Sequence, residues 1–588
     1  MDNYVLQELV LYNTNTDTEL AEYPELLRQL LRTRGISTRE SAQQFLNPDY
    51  DRDNHHPYRM KDMGKAVLRI IDAISKKERI VIYSDYDADG IPGAVVLHDF
   101  FKKIEFDTFF NYIPHRTDEG FGLNVPAVKD FIAQGVKLII TIDCGIADVE
   151  PVALAHAHGV DVIITDHHEV GMEIPPAYAI LNPKQPDCQY PEKILCGSGV
   201  VFKLVQALVQ AVQQRGIVKE IRHGWEKWLL DMVGLATLSD MVPLVGENRV
   251  FAYYGLKVLR ISPRIGLMKL LKTVKTHQRH ITEDDIGFMI SPRINAASRM
   301  GVPLDAFKLL STRDEVEADR LSLHLHTINN ERKGIVASIV KEIKKTIHER
   351  IAQDNMKKVL VIGNPSWKPS LLGLAANTLK DDHGCSVFLW GRDTGAIIKG
   401  SCRSDGTVSV VELMNATKDS FISFGGHKMS GGFSVSHEKI HFLEDAIVAA
   451  HEKLIQEAES ARGCVASKEN RVIIDKKLSL DQVDWSTYKI VEQLAPFGVG
   501  NPKPLFLFER VKINEVVLFG KEKNHLELRF INTAGKRVSA ISFFVSPEKV
   551  RVLGAQMPIH LVATLEKSMF KNYPELRLRI VDIIIPHE

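Results

Sequence analysis

Acids gather at three points of the chain where a short β-branched run stops. The run Ile80-Val81-Ile82-Tyr83-Ser84 leads into Asp85-Tyr86-Asp87-Ala88-Asp89-Gly90, the run 138–142 into Asp143-Cys144-Gly145, and the run 162–165 into Asp166-His167-His168. Several carboxylates and an imidazole pair in one crevice repel one another and are costly unless a cation neutralises them. Oxygen donors with one or two imidazoles and no thiolate suit Mn2+ or Mg2+ ahead of zinc. One or two such ions can clamp the attacking and leaving oxygens of an in-line displacement at phosphorus, which points to phosphoester hydrolysis. Each piece alone has a plainer reading, since an Asp after a strand is commonly a helix N-cap and Asp-x-Asp-x-Asp-Gly resembles a calcium loop. The calcium reading fails at the closing position, where Val96 replaces the required Glu.

Such a crevice needs a parallel sheet, because ligands of open α/β sheets bind outside the carboxyl ends of the strands. From Lys65 onward the pattern alternates between β-branched runs (80–84, 109–113, 138–142, 162–165) and amphipathic stretches, as βαβ units do. Residues 20–47 read as two short helices joined at Arg34-Gly35, with Ser37 or Thr38 capping the second. A helical region covers 199–238, and a long charged helix without Pro covers about 314–352. The α/β pattern restarts at 357–363, 385–391 and 396–404 and ends near Arg462. Beyond it, many short alternating runs predict a small antiparallel barrel or sandwich. The expected divisions are a helical preface (1–64), the catalytic α/β domain (65–312), a connecting helix (313–355), a smaller α/β domain (356–464) and an all-β domain (465–588).

Composition narrows the class. The chain of 588 residues balances 74 Lys+Arg with 74 Asp+Glu, so no uniform field draws a polyanion and any such site is local. No apolar stretch reaches the ~18 residues of a membrane span, and the N-terminus lacks signal-peptide order, so a cytoplasmic protein with no membrane partner is expected. Six scattered cysteines without a Cys-x-x-Cys pair predict reduced thiols. The acids and bases divide unevenly: 465–588 carries 19 Lys+Arg against 14 Asp+Glu, while 1–464 carries 55 against 60.

Together with Leu235-Ala236-Thr237-Leu238-Ser239-Asp240-Met241-Val242-Pro243-Leu244, the three acidic motifs match in order the four motifs of the DHH phosphoesterase superfamily. The segments RGISTRESAQQFL, YIPHRTDEGFGLN, LCGSGVVFKL, SPRINAASRMG, FGGHKMSGG and LAPFGVGNPKPLF resemble, within it, the RecJ family of bacterial single-strand-specific 5′→3′ exonucleases over essentially the whole chain. The resemblance implies a DHH domain, a smaller DHH-associated domain reached through the long helix, and a C-terminal OB-fold that binds single strands. It implies metal ligation by Asp87, Asp89, Asp143, His167 and Asp240, with Asp85 and His168 beside them in catalytic roles. Coordination would lower the pKa of an attacking water, and His168 would contact the phosphate or move a proton. Where the superfamily often has His, four residues before Asp87, this chain has Tyr83, a poor substitute for an imidazole ligand.

By family position Arg116, Arg293, Arg299, Ser401 and Arg403 contact phosphate, while Gly425, Gly426 and His427 belong to a glycine-rich signature that lets backbone approach the strand. Trp367-Lys368 stands where the family has Trp-His, and no site role is given to either. Phe519, Phe530, Phe570 and Tyr573, interleaved with Lys521, Lys523, Arg529, Lys567 and Lys571, are candidate base stackers and phosphate contacts of the OB-fold. The implied function is metal-dependent hydrolysis of single-stranded DNA from the 5′ end to mononucleotides in recombination and repair. Single-strand-binding protein and a helicase are the implied partners, and a monomer is expected. The alternatives are a DHH phosphodiesterase on short RNA or cyclic dinucleotides, which would usually be shorter, and a catalytically silent DNA-binding scaffold, which would be expected to lose motif acids.

Overall fold

A computed structural model of the chain describes residues 4–6, 18–216, 221–353, 356–392, 397–461, 472–545, 550–569 and 573–586. These form two compact units, one of residues 56–240 and 255–466, the other of residues 1–55, 241–254 and 467–588. Strands are numbered in chain order from β1 (Tyr4–Leu6), which belongs to the second unit.

The first unit opens on a five-stranded, all-parallel sheet of β2 (Ile80–Ser84), β3 (Phe109–Tyr112), β4 (Leu138–Ile142), β5 (Asp161–Thr165) and β6 (Ala179–Leu181). Its order is β3-β2-β4-β5-β6. The chain leaves β2 toward one edge and returns to β4 on the other side, so a topological switch point lies between β2 and β4, where crevices of α/β sheets open. Every residue of β2 and β4 is buried, as their unbroken apolar character requires of strands covered on both faces. The helix Gly197–Gln214 is buried along most of its length and starts at this switch point.

A 38-residue helix, Glu315–Ala352, begins at the Asp314 N-cap, which accepts from the Glu317 amide. Its first half buries Leu321, Leu325 and Ile328; its second half buries Ile339, Ile343 and Ile347 in a core with Leu360, Leu372 and Leu389 of the second lobe. That lobe has β7 (Val359–Gly363), β8 (Ser386–Arg392), β9 (Ile398–Arg403), β10 (Ser423–His427) and β11 (Ser430–Val435), ordered β10-β11-β9-β8-β7. The β7–β8 pair is parallel and the rest antiparallel.

The second unit holds β12 (Val472–Ile474), which pairs with β1, and a seven-stranded sheet. Its strands are β13 (Lys476–Lys477), β14 (Phe506–Lys512), β15 (Glu515–Phe519), β16 (His525–Ile531), β17 (Arg537–Ser542), β18 (Pro558–Ser568) and β19 (Glu575–Ile584). The order β13-β14-β18-β19-β17-β16-β15 departs from the antiparallel expectation, because β13–β14 and β17–β19 are parallel pairs. The connection after β17 is long enough for β18 to cross over and pair with β14, which brings β19 back beside β17 in the same direction.

The helices Glu25–Arg32 and Arg39–Leu46 share this unit's core: Leu27, Leu30 and Leu31 lie in one cluster with Phe506, Phe508 and Phe530. Thr38 is the N-cap of the second helix, in a capping box with Ser41. Arg249, stacked 3.7 Å over Phe45, donates to the carbonyls of Phe45, Leu494, Ala495 and Pro496. Burial, then Arg34, pushes its pKa down to about 9.

Among the described residues no helix is long and apolar enough to cross a membrane. Cys144, Cys188, Cys196 and Cys402 are buried free thiols and Cys385 is half-buried; Cys464 lies outside the described residues.

Candidate metal centre and phosphate cleft

The strand-end acids converge. His167 Nε2 lies 3.1 Å from Asp143 Oδ1, 3.7 Å from Asp240 Oδ2 and 3.8 Å from Asp89 Oδ2. Ligand atoms come together in three overlapping groups: Asp85, Asp87 and Asp143; Asp89, His167 and Asp240; and Asp143, His167 and His168. Asp143 is shared between two of them, which gives the cluster room for more than one cation. All the expected metal residues are thus assembled, and Asp85 belongs to a ligand group rather than merely beside one.

The backbone is shaped to bring them this close. Asp143 has a left-handed φ of 61°, unusual outside glycine and a form of strain that collects at functional sites. A Cβ at Gly197 would stand 2.6 Å from the Asp143 side chain, so only glycine lets the helix start there. The Gly197 and Ser198 amides donate to the two oxygens of Asp89 at 2.7 and 2.8 Å, which orients that carboxylate. The Asp87 carboxylate accepts from the amides of Asp89 and Gly90.

Electrostatics fit a cation. Asp85 Oδ1 and Asp143 Oδ1 are buried without a hydrogen-bond partner, a costly state for acceptor atoms that no protein group satisfies. Burial, followed by the neighbouring acids, pushes Asp85 and Asp143 well above the carboxylate range, and burial and then Asp89 lift Asp240 to about 8. A divalent ion would supply the missing partner of both orphaned oxygens.

Asp166 has a different task. Its Oδ1 lies 2.7 Å from His168 Nδ1 and its Oδ2 accepts from the Ile146 amide. Burial alone would lower His168, but the Asp166 contact outweighs it and raises the imidazole to about 9. This leaves Nε2 as the free nitrogen, with Phe121 edge-on to the ring at 5.4 Å. Tyr83, by contrast, is fully buried, and its hydroxyl donates to the Gly122 carbonyl at 2.7 Å, so it takes no place among the ligands.

Beside the acids a cleft of about 350 Å³ runs between the two lobes of this unit, lined by Tyr86, Arg116, Phe121, Ser370, Gly425 and Gly432 among others. Arg116 lies 4.9 Å over the Tyr86 ring. Arg299 donates to the Ser370 carbonyl at 2.7 Å, and burial and then Arg116, Arg332 and Arg403 push it down to about 9. Among the described residues none of these four arginines has a carboxylate in ion-pair range, so their guanidinium groups are left available to an anion. A Cβ at Gly373 would stand 2.9 Å from the Arg403 guanidinium and 3.6 Å from Ser401 Oγ, which places Ser401 beside Arg403.

Gly425 and Gly426 pair with Gly432 and Gly431 across the β10–β11 hairpin, and nothing crowds the Gly425 Cβ position. His427 is exposed and helps, after Lys184, to hold Glu169 below its ordinary pKa, which places the hairpin tip close to the third motif. Arg293 does not line the cleft: only 3% exposed, it donates to the Met289 carbonyl and lies against His326. Sequence reasoning named Asp166 among the strand-end acids without giving it a role, and gave none to Gly197, Ser198 or Arg332. The first opens the Asp-His-His motif and the next two open the GSG of a helix, which were available signals; Arg332 carried none.

A larger cavity, about 590 Å³, is lined by Trp225, Trp228 and Arg264 and includes none of the acids of the metal centre. In the second unit, Phe530 is a core residue and not a stacker, because its side of β16 faces inward. Arg529 is occupied by Glu515 and Glu527, while Phe519 packs on His525 and Phe543. Tyr573 is 54% exposed and remains eligible; Phe570 and Lys571 lie outside the described residues.

An acid-and-imidazole cluster at a parallel-sheet switch point, followed through a long helix by a second α/β lobe, defines a DHH-type phosphoesterase. Residues 79–237 match the DHH family N-terminal domain, 356–457 the DHHA1 domain and 474–582 the RecJ OB domain. Over most of its length the chain is similar to the RecJ family. It is 34% identical over 520 residues to the single-stranded-DNA-specific exonuclease RecJ of Bacillus subtilis, a match covering 88% of this chain and 63% of that protein. It is 29% identical over 568 residues to the protein of the same description from Haemophilus influenzae, covering 95% and 96%. The crystal structure of RecJ in complex with Mn2+ from Thermus thermophilus has the same fold, with a TM-score of 0.79 over all of this chain and 80% of that one, at 24% identity. A crystal structure of exonuclease RecJ bound to manganese matches at a TM-score of 0.57 and 29% identity, over 66% of this chain and 94% of that one.

Proposed function

We propose that this protein is a divalent-metal-dependent exonuclease that hydrolyses single-stranded DNA from its 5′ end to mononucleotides, acting in recombination and repair. The observation that carries the reading is one unit holding both an orphaned carboxylate cluster and an adjoining cleft of arginines without carboxylate partners. The names of the relatives, single-stranded-DNA-specific exonucleases, support substrate and reaction alike.

Asp87, Asp89, Asp143, His167 and Asp240 hold Mn2+ or Mg2+, and Asp85 completes the group with Asp87 and Asp143. When bound, the metal supplies Lewis acidity and a nucleophilic water at neutral pH. Asp166 fixes Nδ1 of His168, so that Nε2 can donate a hydrogen bond to the scissile phosphate or hand a proton to the leaving oxygen. Arg116, Arg299, Arg403 and Ser401 take the phosphate, which a guanidinium matches in a bidentate way. Gly425 and Gly426 let strand and backbone approach, and His427 contacts the strand at the hairpin tip. Arg293 braces the helix carrying Arg299 and acts on the strand only through it. A cleft of about 350 Å³ is of a size to take a nucleotide, which supports the single-strand reading.

The OB domain holds the trailing strand through exposed aromatic and basic groups. The reading extends to a cytoplasmic monomer working on single strands opened by a helicase and covered by single-strand-binding protein. Single- and double-stranded DNA labelled at either end, incubated with Mn2+ or Mg2+, tests the proposal. Release of labelled mononucleotide from the 5′ end of single strands is expected, and release from the 3′ end or equal attack on duplex would overturn it.

A further inference from the structure

Tyr83 stands on β2 two residues before the first acid, yet its contacts run away from the metal centre. The hydroxyl donates to the Gly122 carbonyl at 2.7 Å and receives a hydrogen bond from Asn124 Nδ2 at 3.2 Å. The same Nδ2 reaches Glu119 Oε1, which also accepts from the Tyr112 hydroxyl at 2.7 Å, while Glu119 Oε2 accepts from the His115 amide at 2.6 Å. The Leu123 amide donates to Asp148 at 2.6 Å. Gly120 and Gly122 both take left-handed φ, and a Cβ at Gly122 would meet the Asp148 carboxylate at 2.6 Å. Segment 115–124 is thus tied down by the buried Tyr83 on β2 and by half-buried groups on β3 and after β4. It supplies one wall of the cleft: Arg116, Thr117, Gly120 and Phe121 line it, Arg116 over Tyr86 and Phe121 against His168.

We propose that Tyr83 is a positioning residue, whose hydroxyl fixes the 115–124 wall so that Arg116 and Phe121 hold the leading nucleotide in register with the metal centre. The inference rests on the exonuclease reading and deepens it. A tyrosine reaches the Gly122 carbonyl from the position where an imidazole would face the ligands, so the chain exchanges a ligand position for a tether on the cleft wall. One buried hydrogen bond is at stake, and the strand held by the wall loses affinity while the chemistry at the acids is untouched.

Steady-state kinetics of full-length wild type and Tyr83→Phe on a labelled single-stranded oligonucleotide, across a Mn2+ titration, test this. The expected result is a KM raised about fivefold, a kcat within about twofold of wild type, and an unchanged half-saturating Mn2+ concentration. Glu119→Gln, which weakens the same loop from its other side, should move KM in the same direction. An unchanged KM in both variants, or a shifted Mn2+ requirement in Tyr83→Phe, would overturn the positioning role, and a loss of kcat alone would mean only less folded enzyme and would overturn it too. Wild type that releases no mononucleotide from single strands would overturn the function itself, before either variant is compared.

Discussion

Asp143 sits on a left-handed backbone, 3% exposed, with one carboxylate oxygen that makes no hydrogen bond although His167 Nε2 stands 3.1 Å from it. Its neighbours Asp85, Asp87, Asp89 and Asp240 are all acids, so the same carboxylate that would bind a cation destabilises the metal-free fold. Asp143→Asn should therefore act with opposite signs on two observables. Activity falls about a hundredfold or more, because a ligand shared by two metal groups is lost, and the chelator-treated protein melts at a higher temperature than chelator-treated wild type in a calorimetric scan. Adding Mn2+ should raise the melting temperature of wild type and do little for the variant. The residue types of this centre were legible because its first three motifs each follow an unbroken apolar run, the mark of a strand covered on both faces. The contacts of Tyr83 were not, since they depend on a loop whose path is set by Gly120, Gly122 and Asp148 rather than by any local pattern. Arg293 was misplaced for a related reason: its helix turns it toward His326, and a motif does not say which side of a helix faces the cleft.

At the scale of elements, four of the five strands of the first sheet and the long helix fall where alternation and period predicted them, the short β6 was not foreseen, and Thr38 caps as its sequence suggested. What periodicity could not show is how closely two elements approach. Helix Gly197–Gln214 meets Asp143 only because residue 197 lacks a Cβ, and Gly197→Ala should cost both stability and activity, by about 1–3 kcal/mol in chemical denaturation, with Mn2+ affinity reduced alongside. The 115–124 loop gives a pH test. Burial pushes Asp148 up to about 6, against the opposing Leu123 amide. An acid raised above its unfolded value stabilises the fold while protonated, so this contribution is full below about pH 4 and is lost as pH rises through 6. Asp148→Asn should flatten that part of the curve of melting temperature against pH, gaining on wild type above pH 6 and matching it near pH 4.

The whole molecule departs furthest from a reading in chain order. Residues 1–64 were expected to be a separate helical preface, but Leu27, Leu30 and Leu31 are buried in one core with the C-terminal strands, and Arg249 pins Phe45 to the 494–496 turn. Contacts of more than 400 residues' separation leave no local trace, so hydrophobic pattern found the helices but not their partner. Deleting 465–588 to remove the basic tail should therefore expose these leucines and yield aggregating protein, as the soluble fraction and limited proteolysis would report. The tail's role is better tested in full-length protein. Lys521→Glu with Lys523→Glu should weaken single-strand binding and lower the salt slope by roughly one per lysine, visible in a fluorescence-anisotropy salt titration. The neutral total charge conceals a modest division along the chain, with 55 Lys+Arg against 60 Asp+Glu in residues 1–464 and 19 against 14 in residues 465–588. The central claim, that the clustered acids and His167 hold the metal that cleaves a single strand from its 5′ end, is tested most directly by single-turnover release of 5′-labelled mononucleotide. Wild type, Asp143→Asn and His167→Ala would be followed side by side from zero to saturating Mn2+. Release that rises with Mn2+ in wild type and is abolished in both variants is the predicted result; normal Mn2+-dependent release by either variant would contradict it.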